Sequence, residues 1–239
     1  MIERQAPAAL TRHDFAEGAA LAEALAAAVA ERLRGAIAAR GKASLAVSGG
    51  RTPARFFAAL SQQRLPWAEV VVTLVDERWV PPTSERSNEA LVRDDLLQGR
   101  ATAARFVGLV TAAASPEDGL AEVETRLATV PRPLDVVVLG MGTDGHTASF
   151  FPGGDRLAEA LDPAGHRTAL PMRAPDAGEP RITLTLPLIA EAGAVYLHIE
   201  GRDKAAVLAL AQQAGPVEAM PLRAVLRGCT TPPEVFWCP

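Results

Sequence analysis

The chain has 239 residues, of which 49% are hydrophobic, 22% charged and 5% aromatic, with a formal net charge of −4. That length fits one large domain or two small ones with a core stable alone, and the strand–helix alternation below makes it one, residues 1–239; the acidic balance and the scarcity of rings exclude a basic nucleic-acid footprint and a base-stacking platform. Two cysteines, Cys229 and Cys238, make neither a disulfide framework nor a zinc ligand set, which points to reduced thiols, a cytoplasmic setting and no metal.

The first residues show no signal-peptide pattern, and the apolar stretch Ala19 to Val29 is broken by Glu23 and too short to span a bilayer. Asp14-x-x-Glu17 resembles a capping box and predicts a helix to about Ala39, stopped by Gly41. Ala43 to Val47 reads as a short buried strand that runs into Ser48-Gly49-Gly50-Arg51-Thr52-Pro53, with Thr52 as the cap of a helix to about Gln62. Val70 to Val75 is a β-branched run, as in a strand buried on both faces, and ends in Asp76-Glu77-Arg78. Ser87 then caps a helix from Asn88 to Leu97.

Arg105 to Val107 reads as a strand, Pro116 to Leu127 as a helix, and Leu134 to Leu139 as a second fully buried strand. The run Gly140-Met141-Gly142-Thr143-Asp144-Gly145-His146-Thr147-Ala148-Ser149 follows it directly. From Pro152 to Glu179 the chain reads as irregular; Arg181 to Leu186 alternates like a strand. Ala194 to Ile199 reads as a strand followed by Gly201-Arg202-Asp203-Lys204 and a helix to about Gln213, and Val235 to Trp237 as a closing strand. Ala-rich helices between Val-rich strands indicate an α/β fold with a mostly parallel sheet.

Four loops share one placement: Ser48–Thr52, Asp76–Arg78, Gly140–Ser149 and Gly201–Lys204 each follow the C-terminal end of a predicted strand, where open α/β sheets bind ligands. Ser48, Gly49, Gly50, Arg51 and Thr52 have the make-up either of an anion cradle, with turned backbone N–H groups and a helix N-terminus, or of a plain tight turn before a capped helix. The Gly-Lys-Ser/Thr ending of a nucleotide P-loop is missing. At Asp76-Glu77-Arg78 one carboxylate, Asp76, and Arg78 suit a crevice, while Glu77 reads as a solvated strand end.

His146 stands apart from the other three histidines. His13, His166 and His198 read as ordinary structural residues, whereas His146 follows a glycine turn with Asp144 close enough to orient it. An imidazole suits general base work at neutral pH. Gly140-x-Gly142-x-x-Gly145 formally matches a dinucleotide fingerprint, but Pro152-Gly153-Gly154 interrupts the chain where a long helix is needed. Asp162, about 20 residues on, follows no Val/Ile strand. A Ser-hydrolase elbow, Gly-x-Ser-x-Gly, is absent, so attack by activated water is the simpler scheme.

Taken in order, Leu45-Ala46-Val47-Ser48-Gly49-Gly50-Arg51-Thr52-Pro53, Asp76-Glu77-Arg78-Trp79-Val80-Pro81, Ser87-Asn88, Gly140 to Pro152 and Arg181-Ile182-Thr183-Leu184-Thr185 resemble the 6-phosphogluconolactonase family over nearly the whole chain. The resemblance implies a Rossmann-like three-layer αβα fold, shared with glucosamine-6-phosphate deaminase and ribose-5-phosphate isomerase. It also implies a cofactor-free cytoplasmic hydrolase of the oxidative pentose phosphate pathway that acts on a sugar-phosphate lactone, as a monomer or weak homo-oligomer. The family's catalytic His falls on His146 and its substrate-binding Arg on Arg78. The phosphate loop falls on Ser48, Gly49, Gly50 and Thr52, with Arg51 at a variable position.

Asp76, Asn88 and Gly142 belong to the matched segments and join the substrate-binding set; Arg181 and Lys204 match basic positions suited to the phosphate. Arg181 is preferred to Arg173 for its Arg-Ile-Thr-Leu-Thr context. Backbone N–H groups of the Gly-rich turns, or Arg78, are expected to face the oxyanion. Glucosamine-6-phosphate deaminases resemble the chain at the Gly-rich loops and Gly-x-Asp-Gly-His, but favour an aromatic where it has Arg78 and Asn-Glu-Pro-Gly where it has Phe150-Phe151-Pro152-Gly153. A sugar-phosphate sensor with a helix-turn-helix domain would need more chain.

Overall fold

The computed structural model describes residues 10–50, 52–175 and 177–239. In chain order the elements are β1 (Thr11–Asp14), α1 (Gly18–Arg40), β2 (Ala43–Val47), α2 (Ala54–Ser61), β3 (Val70–Leu74), β4 (Asp76–Arg78), α3 (Asn88–Leu91), β5 (Arg105–Val107), α4 (Pro116–Leu127) and β6 (Val136–Leu139). There follow α5 (Leu157–Ala160), β7 (Ala169–Met172), β8 (Arg181–Leu184), α6 (Leu186–Ala190), β9 (Ala194–Glu200), α7 (Arg202–Gln212), α8 (Leu222–Gly228) and β10 (Glu234–Cys238).

Seven strands form one parallel sheet in the order β1-β10-β9-β6-β2-β3-β5. Every residue of β2, β3 and β6 is buried, so both faces of the sheet centre are covered. This is what Val-rich runs without alternation require, and it bears out the αβα layering. The long helix α1 turns Leu21, Leu25, Val29 and Leu33 inward at four-residue spacing, and it packs against α2, β2 and β10. Gly41 ends it in the left-handed region (φ 74°), its N–H donating to Ile37 O at 2.7 Å.

From β2 the chain builds outward through β3 and β5 on one side; β6, β9 and β10 occupy the other. The direction of building therefore reverses between β2 and β6, a topological switch point where the loops leaving two neighbouring strands part and open a crevice. The ladder is sewn just above it: Ser48 N–H donates to Val138 O at 2.9 Å, and Gly140 N–H to Ser48 Oγ at 3.1 Å.

The structure corrects four sequence expectations. Asp14 opens no capping box: it pairs with Trp237 in an edge strand and its carboxylate accepts from Arg12, while Glu17 stands at the helix cap without a side-chain bond. Thr52 does not cap α2, because Pro53 occupies the cap position and Thr52 lies one residue too early. Asp76–Arg78 are not a loop at the end of β3 but a strand of their own. At Val75 the chain leaves the main sheet, and β4 joins a three-stranded antiparallel sheet, β4-β8-β7. The stretch from Pro152 to Glu179 is not wholly irregular, since it contains α5 and the fully buried β7.

Candidate active site

A cleft of about 380 Å³ opens over the switch point. The loops after β2 and β6, with His198 of β9 and Lys204 of α7, form its floor and one wall, and the small sheet supplies Asp76, Arg78 and Arg181 to the other. Ser48, Gly49, Gly50, Thr52, Asn88, Gly142, His146 and Lys204 also face it. Arg51 lies outside the described residues. Arg173 does not line the cleft; its exposed guanidinium pairs with Glu117, and its N–H donates to Asp155 Oδ1 at 2.8 Å.

The Gly-rich turn after β6 holds His146. Asp144 Oδ1 lies 2.6 Å from His146 Nδ1 and also accepts from the His146 N–H at 3.1 Å. An ionised carboxylate only accepts, so in the neutral imidazole Nδ1 carries the proton and Nε2 the lone pair. Burial works to raise the Asp144 carboxyl. The hydrogen bond and charge of His146 outweigh it, and the group sits below its ordinary value. A Cβ at Gly142 would overlap both the imidazole and the Asp144 carboxylate, so the residue there has to be glycine. Ala148 is held at φ 50°, a left-handed backbone in a non-glycine residue, and marks local strain where the chain leaves the turn.

The turn's own N–H groups are largely spent. Gly142 N–H donates to His146 O at 2.9 Å, Gly145 N–H to Gly142 O at 3.1 Å, and Gly140 N–H to Ser48 Oγ. Thr147 Oγ1 donates to Gly140 O at 2.7 Å. Of the two oxyanion donors expected from the sequence, the glycine N–H groups of this turn are thus withdrawn, and Gly142 contributes room rather than a free donor.

Antiparallel pairing of β4 with β8 sets Arg78 directly opposite Arg181. Like charges at such a position repel. Both guanidiniums are nevertheless held by main-chain carbonyls: Arg78 Nη1 donates to Arg86 O at 2.6 Å, and Arg181 Nη2 to Ala177 O at 2.5 Å. Arg78 Nε is buried without a partner among the described residues. Burial lowers the Arg181 value, Asp76 opposes that, and Arg78 reinforces it. Arg181 lies 5.6 Å over the Phe151 ring, whose centroid is 4.6 Å from that of His146. Phe151 thus lies between the imidazole and Arg181. Asp76 accepts from Ser149 Oγ at 2.5 Å.

Glu77 overturns its sequence reading. It is fully buried, and its carboxylate accepts from Arg78 N–H (2.8 Å), Asn88 N–H (2.8 Å), Glu89 N–H (2.7 Å) and Ser87 Oγ (3.0 Å). Burial raises its value, and the four donors pull against that.

His198, read as structural, also lines the cleft beside Lys204. It is buried, 3.2 Å from Glu200 Oε1, and burial lowers its value. Its position near the C-terminal end of β9 was the available signal. Phe151 was missed because an aromatic beside a Gly-rich loop reads as core. Among the described residues no three His, Cys, Asp or Glu side chains gather as a metal ligand set. No helix among them is long and apolar enough to cross a membrane.

Residues 16–237 match the family model described as glucosamine-6-phosphate isomerases/6-phosphogluconolactonase. The chain belongs to this family. Within the glucosamine-6-phosphate isomerase/6-phosphogluconolactonase family it is 56% identical over 227 residues to the 6-phosphogluconolactonase of Rhizobium meliloti (strain 1021), covering 95% of this chain and 98% of the other. It is 46% identical over 193 residues to that of Pseudomonas aeruginosa, covering 81% and 80%. The crystal structure of a 6-phosphogluconolactonase from Shewanella baltica OS155 is similar with a TM-score of 0.95 and 42% identity, covering 98% of this chain and all of that one.

Proposed function

We propose that this protein hydrolyses 6-phospho-D-glucono-1,5-lactone to 6-phospho-D-gluconate in the oxidative pentose phosphate pathway, in the cytoplasm and without metal or cofactor. The observation that carries the reading is the pairing of two unlike devices in one cleft. An oriented base, His146 on Asp144, shares the cleft with Arg78, Arg181, Lys204 and the Ser48–Thr52 loop, which fit a sugar phosphate. The family's named relatives support the same substrate.

In this mechanism the phosphate docks on the Ser48–Thr52 loop with Arg181 and Lys204, and remote binding orients the lactone carbonyl. His146 Nε2 takes a proton from water, and the oxygen bonds to C1. Arg78, on the cleft wall, stabilises the tetrahedral oxyanion. Collapse breaks the bond from C1 to the ring oxygen, which takes the proton from His146. The resulting carboxylic acid ionises and releases one proton per turnover.

A pH-stat assay with fresh lactone, corrected for spontaneous opening, tests this. His146→Ala is expected to lower kcat by about 10²–10⁴-fold, the scale of a lost general base. Unchanged turnover in that variant removes His146 from the role, and ammonia release from glucosamine 6-phosphate would overturn the substrate.

A further inference from the structure

We infer that Glu77 is a positioning residue for substrate binding, fixing Arg78 and Asn88 on the cleft wall from behind. The inference rests on the lactonase reading for its substrate. Side chains along a strand alternate. In β4, Asp76 and Arg78 line the cleft, and Glu77 between them points into the protein with no exposure. The strand has three residues and is the edge of its sheet, so pairing with β8 holds one side only. The other side is held by Glu77. Oε1 accepts the N–H of Arg78 and Asn88, and Oε2 accepts Glu89 N–H and Ser87 Oγ, so one carboxylate ties the strand to the start of α3.

Two consequences reach the substrate side. With its main chain fixed, Asn88 donates from Nδ2 to Asp76 O at 2.9 Å, and its carboxamide lies where a Cβ on Gly49 would be. The anion loop, Asp76 and Asn88 are therefore set at mutual contact distance by a group that touches none of the ligand space. A buried carboxylate with no bonded cation among the described residues is a costly way to join two segments. It does what an amide cannot, because each oxygen faces N–H donors and an amide would turn its NH2 group toward one pair.

The test compares wild type with Glu77→Gln, Glu77→Asp, Asn88→Ala and Glu77→Gln/Asn88→Ala. Each is measured below its own melting temperature for kcat, for KM, and for the Kd of 6-phosphogluconate by calorimetry. Glu77→Gln should raise KM and the product Kd about tenfold, through Asn88 and the anion loop, and also lower kcat about tenfold, through Arg78. The double variant should be no weaker than the worse single one, as for residues acting through one another. Glu77→Asp, whose shorter arm misses some donors, should fall between and serves if the Gln variant does not fold. A lower melting temperature with KM and Kd within about twofold of wild type would reduce Glu77 to a fold-stabilising group and overturn the inference. If wild type binds 6-phosphogluconate but does not open the lactone, the proposed reaction fails, and the Kd comparison still judges Glu77.

Discussion

Whether His146 can act depends on a residue that carries no chemistry. Gly142→Ala would press a methyl group into the imidazole and the Asp144 carboxylate at once. We expect kcat to fall by about 10²-fold, as when a catalytic group is displaced by about an ångström, with little change in secondary structure by circular dichroism. Asp144 adds a pH statement. A carboxyl whose folded value is depressed contributes its stabilisation fully above its ordinary value, near 3.9, and loses it only as the pH falls through the depressed one. The His146–Asp144 link is therefore intact across the neutral range and fails only in acid. Asp144→Asn should depress kcat by about tenfold or more at every neutral pH, without a new inflection there, because it frees the tautomer. A pH–rate profile of the variant checks this.

Two serine caps separate helix capping from site assembly. Ser115 Oγ accepts from Asp118 N–H at the exposed start of α4; Ser115→Ala should cost about 1 kcal/mol in denaturant unfolding. Ser87 Oγ accepts from Ala90 N–H and also donates to buried Glu77, so Ser87→Ala should cost about 2 kcal/mol, a cap plus a charged acceptor left one donor short. The Ser87 cap was legible because a Ser before a helical run has a local cause. So were β2, β3 and β6, whose β-branched runs leave no alternative to a buried parallel strand. The break at Val75 was not legible: charges after an apolar strand look the same whether the strand ends or changes sheet, and the choice is made by β8, about a hundred residues on. β7 was hidden for a related reason, its Pro171 standing in what reads as a loop. The cleft-lining residues on strand-end loops were found by placement. His198 and Glu77 were not, since a charged or polar residue gains its role there from partners far off in sequence.

At the scale of the molecule an acidic chain gathers Arg78, Arg181 and Lys204 around one opening. The facing arginines should make the folded state respond to anions. Inorganic phosphate at about 100 times its Kd should add about 2.7 kcal/mol of stability, read as a higher Tm, and Arg78→Ala/Arg181→Ala should abolish the shift. The switch point has a different consequence, one of time. The crevice does not exist until β6 has docked beside β2, nearly a hundred residues earlier in the chain, and its far wall waits for β8 to capture β4. Non-local pairings of this kind close late, after loop entropy has been overcome. A refolding chain should regain helical signal first and lactone turnover last, so the catalytic assay doubles as a clock for the final step of assembly.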